Sequence, residues 1–177
     1  IIEGRADEYW VAAEKGLFKY NSQTGDVLKY DQSTGLSGAS PLELMMDSEG
    51  GIWVSYKGGG VDLIEKQGIY SFDFNVSNFG GPPYIVNDKR IFEDEDGQIW
   101  LCTWEGFVIL DKTLITSMNL GLDADDWIRD IAIDDDGLFW ILSAKGLFKY
   151  EPNSQAIFKL DDPPGFPFKE MRFMAAR

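Results

Sequence analysis

Four tryptophans recur at a nearly regular spacing, and this repeat constrains the fold more than any other feature of the sequence. Trp10, Trp53, Trp100 and Trp140 follow one another at intervals of 43, 47 and 40 residues. The last three close the segments DSEGGIW, DEDGQIW and DDDGLFW, in which Asp stands six residues before tryptophan and Gly three before it. A second Gly, six or seven residues after each tryptophan, precedes an apolar run. This fixed order indicates one supersecondary unit copied four times.

The first and fourth copies share an identical hexapeptide. KGLFKY stands at residues 15–20 and again at residues 145–150. In the first copy, however, Gly4 and Asp7 replace the Asp and Gly that precede tryptophan in the other copies. Ile1 and Glu3 nevertheless stand nine and seven residues before Trp10, as Ile91 and Glu93 do before Trp100, so we interpret the opening residues as a natural first copy. Because of the two replacements, we expect its first hairpin to be degenerate.

Each copy reads as four short strands. In the fourth copy these are DIAID, LFWILS, LFKYE and AIFKL, separated by turns rich in Asp, Gly and Asn. Short strands with aromatic and β-branched residues, repeated at this period, are typical of β-propeller blades. We predict an all-β fold without any helix longer than two turns, in which residues 1–177 form about four blades of four antiparallel strands, as an incomplete part of a larger propeller. The predicted repeats are residues 1–40, 41–87, 88–127 and 128–168, with the start of a further blade at 169–177.

Composition and charge narrow the classes of partner. A content of 44% apolar residues is ample for a core, whereas 16 basic and 30 acidic residues give a net charge of −14. A charge of this sign repels nucleic-acid phosphates and anionic lipids, so we expect no nucleic-acid partner. No stretch reaches the roughly 18 apolar residues of a membrane-spanning helix, and we expect no membrane contact by this segment. Cys102 lies in an apolar run and reads as a buried structural thiol.

The copies EDEDGQIWLCTWEGFVIL and DDDGLFWILSAKGLFKY resemble the two-component regulator propeller repeat. That repeat combines an acidic-glycine turn, Ile-Trp, a few small residues, and a strand that begins Gly-Leu and continues aromatic-basic-Tyr. The resemblance covers nearly the whole chain. It implies the periplasmic sensor portion of a hybrid two-component histidine kinase, built from consecutive propellers and common in polysaccharide-degrading bacteria. It also implies a kinase outside this chain.

Catalysis and metal binding have little support in the sequence. The chain contains no histidine, which excludes histidine-dependent triads, lyase sites and metal sites within this segment. Paired carboxylates could serve glycoside chemistry, but a solvated turn is the simpler role of each acid. The DEDG and DDDG turns resemble the beginnings of calcium loops, yet an apolar strand follows where such a loop needs its last ligand. We predict tight hairpins at these turns, tryptophans in the core, and neither catalytic residues, metal nor cofactor.

Propeller geometry predicts where a ligand would bind. The turns between second and third strands lie on the same face as the links between blades, and loops on a rigid scaffold carry function. Aromatic planes with polar neighbours suit sugar rings, and we expect Trp104 to be the main anchor. For any single lysine there, a solvated turn residue is the simpler interpretation, and the location of the whole group on one face is what favours a ligand surface. The predicted ligand-binding residues are Lys15, Tyr56, Lys57, Arg90, Trp104, Arg129 and Lys145.

Three functions remain open at this point. The first is a non-enzymatic sensor segment that recognises an oligosaccharide and relays a conformational signal to the kinase. The second is a protein-interaction scaffold, and the third is a glycan-active propeller enzyme, which the absence of histidine disfavours. Open blade edges further predict association with the remaining blades of the parent protein or with a second copy.

Overall fold

The computed structural model describes residues 1–56, 60–72, 91–102, 106–111, 114–119 and 128–160. These residues form sixteen strands and one 3₁₀ helix of three residues, Gln32–Thr34. The chain divides into two compact units. The first unit contains Ile1–Ile85 with Ile91–Glu93, and the second contains Val86–Arg90 with Asp94–Arg177.

The first two sheets each contain four consecutive strands, in chain order and antiparallel. The first sheet consists of β1 (Ile2–Glu3), β2 (Glu8–Ala13), β3 (Gly16–Asn21) and β4 (Val27–Tyr30). The second sheet consists of β5 (Pro41–Met46), β6 (Ile52–Tyr56), β7 (Val61–Glu65) and β8 (Gly68–Phe72). A 3₁₀ turn capped by the Asp31 carboxylate begins the link between them.

The third and fourth sheets repeat this order. The third sheet consists of β9 (Ile91–Glu93), β10 (Ile99–Cys102), β11 (Gly106–Asp111) and β12 (Leu114–Asn119). The fourth sheet consists of β13 (Ile128–Ile133), β14 (Phe139–Ser143), β15 (Leu147–Glu151) and β16 (Ala156–Lys159). Each tryptophan of the repeat lies on the second strand of its sheet.

The predicted architecture of four-stranded antiparallel blades is confirmed. Within the described parts of the chain, no sheet combines strands of two copies, and the only helix is shorter than two turns. Each sheet falls inside one predicted repeat. The repeat boundaries themselves stay predictions, and the predicted further blade at residues 169–177 lies outside the described residues.

The acidic turns join the first and second strands of each sheet as tight hairpins. In the second sheet Asp47 N donates to Gly51 O at 3.0 Å, and Gly50 N donates to Asp47 O at 2.9 Å. Gly50 adopts a φ of 85°, a left-handed conformation that glycine reaches without strain. In the first sheet Asp7 takes this position with a φ of 62°. The first hairpin is therefore degenerate, as predicted. Asp7, which has a side chain, adopts the left-handed conformation that glycine adopts in the second sheet.

In the second sheet, the central strands β6 and β7 bury side chains on both faces. In the first unit, Trp10 and Leu17 of the first sheet pack with Ile52, Val54 and Tyr56 of the second. In the second unit, an aromatic cluster includes edge-to-face contacts of Trp100 with Phe107 and Phe139, at centroid distances of 5.4 and 4.7 Å. Such geometry is favourable beyond the area that it buries. Trp10, Trp53 and Trp100 are core residues, whereas Trp140 is half-buried. Cys102 is buried as predicted.

Candidate functional site

The turns between second and third strands carry two of the predicted lysines. Lys15 is exposed between β2 and β3, and Lys145 is half-buried between β14 and β15. Gly16 follows Lys15 with a φ of 129°, and a Cβ atom there would lie 2.5 Å from the Tyr30 carbonyl oxygen. Only glycine allows β4 to approach this closely, so the position of Lys15 depends on Gly16.

A buried serine fixes the turn that presents Lys145. Ser143 N donates to Gly146 O at 2.8 Å, and Ser143 Oγ donates to the same oxygen at 3.1 Å. The hydroxyl also accepts from Lys145 N at 3.0 Å. Because Ser143 is fully buried, this network holds the backbone of the turn in one conformation.

Arg129 lies at the same end of the fourth sheet as Lys145. Ile128 pairs with Ser143, the last residue before the turn, and the register shifts between Ile128 and Asp130. Arg129 is the bulged residue, and bulges often redirect a side chain beside a functional site. The structure thus places Arg129 and Lys145 at the same end of the fourth sheet.

Tyr56 is buried, and this corrects the expectation that it offers an exposed aromatic plane. It is the last residue of β6 and is 2% exposed. A Cβ atom at Gly38 would lie 2.2 Å from the Tyr56 ring, so the link between the first two sheets covers the ring. The hydroxyl donates to Asp62 Oδ2 at 2.5 Å. Burial, followed by the hydrogen bond to Asp62, raises the pKa of Tyr56 far above its usual range.

Asp62 is a buried acid that the sequence prediction did not include. Its Oδ2 also accepts from Ser37 N at 2.8 Å, whereas its Oδ1 is buried without a hydrogen-bond partner. The carboxylate therefore holds both Tyr56 and the link at Ser37 by hydrogen bonds. The sequence did contain a signal, because VDLI places Asp62 at the strand position that Phe18 and Phe148 hold in the two LFKY strands.

The other predicted ligand-binding residues, Lys57, Arg90 and Trp104, lie outside the described residues. Their part in the predicted ligand surface stays a prediction.

The acidic turns hold the repeat tryptophans through a hydrogen bond that the sequence prediction missed. The indole Nε1 donates to Oδ2 of the Asp six residues earlier, at 2.8 Å from Trp53 to Asp47 and at 2.7 Å from Trp140 to Asp134. The same bond joins Trp100 to Asp94 at 2.7 Å. The constant spacing of six residues between Asp and Trp was the sequence feature that could have indicated this hydrogen bond.

The other oxygen of each carboxylate bonds the hairpin backbone. Asp134 Oδ1 accepts from Leu138 N at 3.0 Å and from Asp136 N at 3.1 Å. The bond from the Trp140 indole, followed by these backbone bonds, lowers the pKa of Asp134 against the opposing effect of burial. These acids stabilise hairpins. Among the residues that the structure describes, no group of three or more Cys, Asp or Glu could hold a metal ion.

No protein-family model and no curated protein matches the sequence. Within the described ranges, no helix is long and apolar enough to cross a membrane.

Similar solved structures include the extracellular domains of two B. thetaiotaomicron proteins. One is the extracellular domain of BT4673, described as a one-component system, with a TM-score of 0.72 and 19% identity over 90% of this chain and 23% of that one. A second structure of BT4673 describes it as a hybrid two-component system. The other is the extracellular domain of the hybrid two-component system BT3049, with a TM-score of 0.69 and 24% identity over 90% of this chain and 22% of that one. The chain thus spans about a quarter of their length, and the predicted resemblance is confirmed at the level of fold.

An enzyme has a similar fold. Virginiamycin B lyase from Staphylococcus aureus, in a catalytically inactive variant with a histidine replaced by alanine and with quinupristin bound, has a TM-score of 0.64. Its identity is 17% over 93% of this chain and 59% of the lyase. This fold therefore occurs both in extracellular domains of two-component systems and in an enzyme, so it does not by itself decide the function.

Proposed function

We propose that this chain is a non-enzymatic, ligand-sensing segment of a periplasmic β-propeller sensor. It recognises a carbohydrate and relays a conformational change to a kinase outside the chain. The observation that supports this most is the similarity of its four blades to parts of extracellular domains of two-component systems. Location and signalling role come from that similarity together with the repeat motif.

The proposed binding surface follows the turns between second and third strands. Arg129 and Lys145 at one end of the fourth sheet supply hydrogen-bond donors for hydroxyl groups, and Lys15 occupies the equivalent turn of the first sheet. Lys57, Arg90 and Trp104 are the other members that the sequence predicts. A net charge of −14 disfavours a strongly anionic polymer, so the ligand is a neutral or mildly acidic oligosaccharide.

Tyr56 takes an indirect part in this surface. Its buried ring and its bond to Asp62 hold the end of β6 and the link at Ser37, from which the following turn departs. Tyr56 thus fixes the last residue of β6 and does not stack on the sugar.

The histidine content favours sensing over catalysis. The lyase with a similar fold is inactive when one histidine is replaced by alanine, whereas this chain contains no histidine. The lyase chemistry therefore has no counterpart residue in this segment.

Calorimetric titration with a panel of neutral and mildly acidic oligosaccharides tests the proposal. We expect one class to bind, and we expect Trp104→Ala and Lys15→Ala to weaken that binding about tenfold or more, as for anchors of an interface. Lys66→Ala is the matched control, because Lys66 is an exposed turn lysine at the opposite end of the second sheet. Equal losses for Lys15→Ala and Lys66→Ala would contradict the proposed surface. Turnover of any oligosaccharide would contradict the non-enzymatic role.

Association with further blades or with another copy is part of the same proposal. Exposed Val27, Leu28 and Tyr70 on outer strands support it, because unpaired edges and apolar blade faces favour association.

A further inference from the structure

The first strand of the second sheet carries a β-bulge. Pro41 of β5 pairs with Tyr56, the last residue of β6. The next pair joins Glu43 to Ser55, so Leu42 is an extra residue between two adjacent pairs. The bulge therefore lies beside Tyr56, at the end of the sheet from which the turn between second and third strands departs.

The fourth sheet carries the same bulge at the same position of the repeat. Leu42 stands eleven residues before Trp53. Arg129, the extra residue of the bulge in β13, stands eleven residues before Trp140. A bulge interrupts the strand ladder and often redirects a side chain beside a functional site. Because Arg129 belongs to the proposed binding surface, Leu42 occupies the corresponding place in the second sheet.

Leu42 is exposed, although the backbone around it is held by buried residues. Its side chain is 42% exposed. The proline ring fixes the backbone φ of Pro41, and Tyr56, with which Pro41 pairs, is buried and bonded to buried Asp62. An apolar group on a backbone that is already ordered loses little conformational freedom when a ligand covers it.

The strand that carries Leu42 lies beside the first strands of its neighbours. Within the first unit, β5 contacts both β1 and β9. The blades of a propeller surround a central channel and converge toward it, so neighbouring blades come closest at their innermost strands. Leu42 thus lies where the channel side of the second sheet meets the proposed binding surface.

The charged residues around Leu42 indicate which class of oligosaccharide it contacts. Glu43, the next residue, is half-buried, and Asp62 is fully buried at Tyr56. In the first sheet, the turn at this end carries one exposed acid and one exposed base, Glu14 and Lys15. The balance is acidic, which disfavours an anionic sugar, whereas the leucine side chain suits the apolar C–H face of a neutral ring.

We propose that Leu42 contacts the ligand and selects neutral oligosaccharides over acidic ones. Its side chain packs on the C–H face of a sugar ring and supplies the apolar contact that the buried Tyr56 does not. Arg129, at the same bulge of the fourth sheet, donates hydrogen bonds to hydroxyl groups. The inference rests on the proposed function and adds to it one contact residue and a narrower class of ligand.

Calorimetric titration of the chain tests the inference, with neutral glucose, mannose and xylose oligomers and an oligogalacturonate as the acidic probe. We expect Leu42→Ala to weaken binding of the neutral oligomer about tenfold, because most of the apolar contact is lost. Leu42→Met should bind like the unaltered chain, since it keeps an apolar side chain of similar volume. Leu42→Arg should reduce the preference for the neutral oligomer over the oligogalacturonate, because it adds a positive charge beside Glu43.

The matched control lies at the opposite end of the same strand. Met46 is 37% exposed at the other end of β5, so Met46→Ala should bind like the unaltered chain. Thermal melting checks that each variant is folded, and Leu42→Gln replaces Leu42→Ala if the latter unfolds.

The outcomes separate this inference from the proposed function. Equal affinities of Leu42→Ala and Met46→Ala for the neutral oligomer would overturn the inference and leave the carbohydrate proposal intact. An unchanged ratio of neutral to acidic affinity in Leu42→Arg would overturn the selective role of Leu42. If the unaltered chain binds none of the oligosaccharides, the proposed function is wrong and the inference fails with it.

Discussion

Replacing Asp47 by alanine should destabilise the protein strongly, because its carboxylate bonds two buried donors. Oδ2 accepts from the Trp53 indole at 2.8 Å and Oδ1 accepts from Gly51 N at 2.6 Å. Asp47, Gly51 and Trp53 are all buried, so water cannot readily replace the lost oxygens. A hydrogen bond to a charged group contributes about 1.5–3 kcal/mol, and the two bonds share one carboxylate, so we expect a loss of about 3–4 kcal/mol in the free energy of unfolding.

Urea unfolding followed by tryptophan fluorescence measures this loss. Asp47→Asn keeps the shape but turns one acceptor into a donor, so we expect a smaller loss of about 1–2 kcal/mol. Asp135→Ala removes the same charge from an exposed turn position and is the control. If the free energies of unfolding of Asp47→Ala and Asp135→Ala differ by less than about 1 kcal/mol, the hydrogen bond from the Trp53 indole does not stabilise the blade.

Two further predictions follow from the hairpins. The pKa of Asp134 is lowered in the folded protein, so its contribution is present above its ordinary pKa near 3.8 and is lost as the pH falls through the lower folded value. The free energy of unfolding in urea, measured from pH 6 down to acid pH, should show this loss, and Asp134→Asn should make that free energy less dependent on pH. If Asp134→Asn leaves the pH dependence unchanged, the loss does not come from Asp134. Gly16→Ala should cost about 2 kcal/mol or more, because its φ is 129° and the new Cβ would meet the Tyr30 carbonyl oxygen. A melting temperature equal to that of the unaltered chain would show that the turn can shift.

The blades could be predicted from the sequence because their signals are local and repeated. Asp six residues before tryptophan, and Gly three before it, set a hairpin whose register the structure reproduces in β5 with β6 and in β13 with β14. The indole bond was missed because spacing alone does not show which way a tryptophan ring turns. Once the hairpin forms, the ring edge and the carboxylate face each other.

The site was harder to predict because it depends on packing between sheets. Tyr56 follows Trp53 by three residues, and alternation along β6 places it on the side of Val54, against the first sheet. Treating Tyr56 as a turn residue ignored this alternation. Asp62 was visible as an acid at an apolar strand position, but its partners Tyr56 and Ser37 come from a neighbouring strand and a link, which no local pattern connects.

The first hairpin should also be the place where the first sheet begins to open. Gly4 stands where the other copies carry the carboxylate, and β1 pairs with β2 only through Ile2 with Trp10 and Glu3 with Tyr9. Opening these two pairs leaves β2 paired with β3, so it does not require unfolding of the sheet. Amide hydrogens bonded between β1 and β2 should therefore exchange with solvent at a rate set by this local opening. Those of β6, held between two strands and beside the Asp47 carboxylate, should exchange only when the whole sheet unfolds.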